Sequence, residues 1–226
     1  MRWLCFDAVA GGMGRGFSWS IFLLLLALFA ASMGMFWMLV RRWTVYHHWS
    51  DLSQWADENH MTLRGRNGAE LPVPLAELHN ASLVPVLALS GKTMTFVEMR
   101  WLQNDSDDSE HLVRWHAAVR NITGVWPTAA LQPVKQASAM LDLFVMKRFT
   151  SMLPPERFAA LGTDSAAARR LALSKIPALL PPDLAILLHG SFLILDFSTR
   201  PFDTIELTRM TALLEQLAAK LPAHPA

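Results

Sequence analysis

The residues of this chain whose types and spacing suit chemistry are histidines, carboxylates and clustered cations. His189-Gly190-Ser191 has the form of a His-Gly element that offers a backbone amide to an oxyanion. It falls where a helix is expected to give way to a strand, so Gly190 reads as the helix stop. His111 and His116 are five residues apart on an expected strand and face opposite ways. His47 and His48 are adjacent on an expected helix, about 100° apart, so they do not readily share a metal ion. The carboxylates Asp105, Asp107, Asp108 and Glu110 lie in QNDSDDSE, which has calcium-ligand chemistry without the glycine of an EF-hand loop. A solvated hairpin tip is the better reading. Lys147, Arg148, Arg157, Arg169 and Arg170 supply cations for an anionic ligand, and solvated helix faces are the reading preferred for them. There is no GxSxG, HExxH, CxxC or phosphate-cradling glycine loop. No catalytic, cofactor-binding or metal-ligating residue is assigned. The sequons at Asn80, Asn104 and Asn121 would matter only in a eukaryotic secretory protein.

The elements that would position these residues divide at a membrane. From Phe17 to Val40 the chain reads FSWSIFLLLLALFAASMGMFWMLV, without a charge between Arg15 and Arg41. Some 24 residues make a helix of roughly 36 Å, enough to cross a hydrocarbon core of about 30 Å. A cleaved signal peptide ending at Ala30-Ala31-Ser32 is the rival reading, but the apolar run continues unbroken through 33–40. Residues 1–16 read as a tail, with a glycine cluster and the one cysteine, Cys5, so no disulfide within the chain is expected. Arg41-Arg42 behind the run slightly outweigh Arg2 and Arg15 ahead of it, which places the body in the cytoplasm. In 41–59, Trp43, Tyr46, Trp49, Leu52 and Trp55 recur every three residues and continue the helix. Trp43 and Tyr46 suit the headgroup layer; Leu52 and Trp55 suit the core of the body.

From Arg41 onward the chain carries 18 Lys and Arg against 18 Asp and Glu. A neutral body does not suit nucleic acid, whose phosphates call for clustered cations. The body, 60–221, begins with strand patterns at 61–64, 83–89, 93–101, 112–120 and 129–134. Pro85 suits a sheet edge, and Asn67-Gly68 and Ser90-Gly91-Lys92 suit turns. Trp101, Trp115 and Trp126 read as sheet core. Helices are expected over 137–152, with Phe149-Thr150 as the alternative start of a short strand, over 165–173 capped by Thr163-Asp164, and over 175–188 interrupted at Pro181-Pro182, with Asp183 capping the second piece. A strand, 191–197, follows, then a helix over 203–221 with Ile205, Met210, Leu213, Leu214 and Leu217 inward. Residues 222–226 are a tail. The fold class is α+β: a single transmembrane helix, then an antiparallel sheet of four to five strands packed with C-terminal helices.

The order of WA, TMTFVEMRW, HLVRWHAAVRN, WPTAALQP, KRF, TDS, LLPPDL and GSFLILDF resembles that of a group of uncharacterised bacterial membrane proteins with one N-terminal helix and a C-terminal domain of unknown function. The resemblance implies a fold and an anchor, and with them a bacterial inner membrane, but no chemistry. The expected function is a membrane-anchored, non-enzymatic interaction or accessory module. Its partners are the lipid bilayer through 17–40 and a membrane protein or a second copy, with no nucleic acid and no cofactor. The alternative is a membrane-tethered small-molecule sensor or an unrecognised hydrolase, with a pocket after Ala137 that joins several of the five cations to His116.

Overall fold

A computed structural model describes residues 19–76, 83–103, 111–135, 141, 144, 146–149 and 157–221. The tail over 1–16, Phe17 and Ser18, the Asn80 sequon, the acidic loop over 104–110 with Asn104, most of 137–152 and the tail over 222–226 lie outside them. The chain divides into two compact units between Ser50 and Asp51.

The first unit contains most of one 40-residue helix, α1 (Trp19–Glu58). This helix is long and apolar enough to cross a membrane, and none of its most apolar stretch is buried. No acidic residue occurs between Trp19 and Ser50. From Phe22 to Val40 the large apolar side chains described are all exposed.

The last two turns of α1 belong to the second unit, where Leu52, Trp55 and Ala56 enter the main core. The sheet of this unit is antiparallel and has seven strands among the described residues, more than the four to five expected. They are β1 (Thr62–Gly65), β2 (Leu83–Ser90), β3 (Met94–Gln103), β4 (His111–Pro133), β5 (Lys147–Phe149), β6 (Phe158–Gly162) and β7 (Ala185–Asp196). The order is β1-β2-β3-β4-β6-β5, with β7 also on β4. Ala117 of β4 lies between Val97 and Asp196, and Ala130 lies between Leu161 and Leu187. The helices are α1, α2 (Val73–Ala76), α3 (Ser165–Ala172), α4 (Ile176–Leu179) and α5 (Thr204–Lys220).

β4 joins the two strands expected at 112–120 and 129–134 into one of 23 residues. Its register against β7 slips between Asn121 and Trp126 and again before Ala129. Gly124 (φ 88°) lies within that slip, and Gly190 (φ 57°) on β7 faces Trp126. Extra residues move the following side chains to the other face of a strand. Both partners shift together. One core therefore takes Ala118 and then Leu131 from β4, and Ile186 and then Leu195 from β7. The opposite core takes Trp115, Ala117 and then Ala130, and Leu187 and then Ile194. Trp126 lies in the first core and Trp115 in the second, as sheet tryptophans should. Pro85 sits at a bulge in β2, beyond the residues that pair with β1, where its missing N–H costs no ladder bond on that side.

Several expectations change. Residues 185–188 are strand, not the second piece of a helix, because this apolar run is buried on both faces beside β4, a pattern that periodicity alone does not distinguish from a buried helix. Residues 147–149 are strand, ending at Phe149 where the alternative reading had a strand begin, and β6 was not anticipated. On α5, Ile205 is 64% exposed and Leu207 is buried; Leu207, Met210, Leu214 and Leu217 form the inward stripe, with Leu213 half-buried beside it.

Candidate functional site

A polar cluster forms where the turn after β7 meets the start of α5. Asp203 caps this helix, its Oδ1 accepting the Glu206 amide at 2.9 Å. Arg200 holds Asp183 bidentately, Nε donating to Oδ2 at 2.7 Å and Nη2 to Oδ1 at 2.9 Å. Its third donor, Nη1, reaches Glu206 Oε2 at 3.1 Å. Glu206 is buried, and its other oxygen accepts from Arg209. The Arg200 hydrogen bonds hold the Asp183 carboxyl below its ordinary range against the opposing effect of desolvation. The same pairing pushes Arg200 up, Asp183 being the largest cause.

His116 joins this cluster. Its Nδ1 is 2.8 Å from the Arg200 carbonyl oxygen. A carbonyl only accepts, so Nδ1 carries the proton. The ring packs against Phe197 and Phe202 with centroids at 5.6 and 5.4 Å. The Ser198 hydroxyl donates to Asp196 Oδ1 at 2.5 Å and accepts the His116 backbone amide at 3.0 Å. Histidine, serine and aspartate therefore meet in one place, but not as a nucleophilic triad. A triad needs the serine proton on imidazole and the other ring nitrogen on the carboxylate. Here the serine proton is on the aspartate, and the Nδ1 proton is on a main-chain carbonyl. The arrangement fastens the turn 196–200 to β4 and α5.

Sequence reading did not join these eight residues into one group. They are separated by up to 93 positions, and among them only Asp183, read as a helix cap, His116, a candidate beside the cations, and Asp203, the first residue of an amphipathic run, carried a local signal.

The other candidates are dispersed. His189 lies within β7, its Nδ1 2.8 Å from Thr128 Oγ1 and its ring 5.5 Å from Phe144. Gly190 is a mid-strand residue in the left-handed region, so it marks a bulge and does not stop a helix. His47 and His48 are exposed on α1, with the His47 ring edge-on to Trp43 at 4.3 Å. Among the described residues no three His, Cys, Asp or Glu side chains are placed to hold a metal. His111 pairs with Gln103, and His116 with Glu98. Asn121 is exposed at the β4 bulge.

Arg157 lies over the Phe158 ring at 5.9 Å, Arg169 and Arg170 are on α3, and Lys147 and Arg148 are on β5. Phe158 pairs with Pro133, so this end is roughly 40 Å along β4 from His116. Two open grooves lie elsewhere, and Arg157, Arg169 and Arg170 line neither. One, of about 590 Å³, lies between the end of α1 (Asp51, Gln54, Trp55, Glu58) and the start of α5 (Thr204, Ile205, Thr208, Arg209). The Trp55 indole donates to Thr208 Oγ1 at its floor, at 2.9 Å. The other, of about 560 Å³, runs past Pro72, Lys92, Asn121 and Phe192. No family model, curated protein or solved structure matches this chain.

Proposed function

We propose that the chain is a membrane-anchored, non-enzymatic module that docks a membrane protein partner or a second copy of itself. The observation that carries this reading is α1 itself. One helix supplies an exposed apolar surface long enough to cross a bilayer, and its last turns supply Leu52 and Trp55 to the core of the second unit. The bilayer is taken to be a bacterial inner membrane, as the resemblance implies. Arg41 and Arg42 favour a cytoplasmic body. Equal numbers of acidic and basic residues from Arg41 onward argue against nucleic acid as a partner. The reactive residue types that do meet, His116, Ser198 and Asp196, hold a turn together, which favours docking over catalysis.

Crosslinking in intact membranes, followed by purification of the tagged full-length chain, tests the proposal. A stoichiometric protein partner, or a crosslinked dimer, that disappears when the body after Arg41 is deleted is the expected result. A chain that is recovered alone and uncrosslinked would refute it.

A further inference from the structure

Beyond the apolar run, α1 presents a second surface. From Arg41 to Trp49 every side chain described is exposed: Arg41, Arg42, Trp43, Val45, Tyr46, His47, His48 and Trp49. We propose that this stretch is a collar that binds the anionic phospholipid headgroups of the bilayer. The inference rests on the membrane reading above and adds which lipids the helix selects.

Charge supports it first. Arg41 and Arg42 bring two guanidinium groups, and the nearest acidic residue in the chain on either side of the described helix up to that point is Asp51. Guanidinium matches phosphate through paired N–H donors. Position supports it next. Phe22 through Val40 spans about 28 Å as helix, close to the hydrocarbon thickness, so Arg41 and Arg42 fall where phosphates begin.

The aromatic residues support it third. At about 100° per residue, Trp43, Tyr46 and Trp49 fall within an arc of about 120° that includes Arg42, and Trp37 lies on the other side, within about 40° of Arg41. The Arg41 guanidinium sits over the Trp37 ring at 5.3 Å, and His47 lies edge-on to both Trp43 and Tyr46, at 4.3 and 5.9 Å. Indole and phenol suit a layer that is apolar below and polar above, where the arginines meet phosphate.

The test uses the full chain reconstituted in equimolar phosphatidylcholine and phosphatidylglycerol, with bromine on one lipid or the other, and reads tryptophan quenching. Trp37, Trp43 and Trp49 are exposed on α1, whereas Trp55, Trp115 and Trp126 are buried and supply an unquenched background. Brominated phosphatidylglycerol should quench more than brominated phosphatidylcholine, each arginine contributing at most about a fivefold preference. High salt should shrink the difference, and Arg41→Gln with Arg42→Gln should abolish it while the domain melts at the same temperature. Equal quenching by the two lipids in the unaltered chain would overturn the collar and leave the membrane reading standing. No quenching by either would overturn both.

Discussion

The two ends of α1 are made of the same residue types and meet opposite surroundings. Trp43 is 65% exposed and Trp55 is 7% exposed; Leu39 is open and Leu52 is closed. The difference is not one of hydrophobicity. Trp55 has Phe96 edge-on at 5.8 Å and Thr208 to accept its indole N–H, so protein atoms take the place of water on its apolar body and its polar tip. Along the apolar run no described side chain of the fold does this. Helical periodicity marks a surface that wants cover, and only the rest of the fold tells which cover it has.

The largest test of that contrast is on the apolar run. Leu28→Arg with Ala31→Arg places two charges near its middle, at about 2.5–3.5 kcal/mol each if lipid is the cover. The expected outcome is loss of the chain from alkali-washed membranes, and unchanged retention would break the comparison. Next, Trp55→Ala should lower the stability of the second unit by about 3–5 kcal/mol, while Trp43→Ala should change it by less than about 0.5 kcal/mol. Denaturant titration in detergent, followed by near-ultraviolet dichroism, checks both values.

A similar contrast exists within the second unit, between the Arg200 cluster and the bulge at Gly190. Arg200→Ala removes the donor from one oxygen of the buried Glu206 and leaves the other to Arg209, and should cost about 2 kcal/mol, less than a fully buried pair because Asp183 is 39% exposed on its side chain. Because the Asp183 pKa is lowered on folding, its contribution is complete above the unfolded value near 3.8 and is lost as pH falls through the folded value. Acid unfolding curves of the unaltered chain and Asp183→Asn should therefore differ in neutral solution and converge below that range. The smallest effect is at Gly190→Ala. There is open space for a methyl group, so only the left-handed backbone opposes it, at about 1 kcal/mol, read as a few degrees in melting temperature.

Much of the fold was legible because it is local. Alternation over Met94–Gln103 and over the first half of β4 marked strands, and Thr163-Asp164 marked a helix start through a side-chain oxygen that accepts the Ala167 amide. The span of α1 and the inward fate of Leu52 and Trp55 followed from hydropathy and a three-residue spacing. These signals depend on neighbours within a few residues, and sequence displays such neighbours directly.

What only the tertiary structure decided depends on residues brought together from afar. Residues 185–188 became strand because β4 lies alongside them, and Gly190 became a bulge because Trp126 and its register slip lie opposite. Arg200 found Asp183, 17 positions upstream, and Glu206, while His116 reached the Arg200 carbonyl across the sheet. Whether histidine, serine and aspartate form a reacting triad or a fastened turn rests on which lone pair meets which proton. That is a matter of ångströms between distant residues, and no spacing along the chain encodes it.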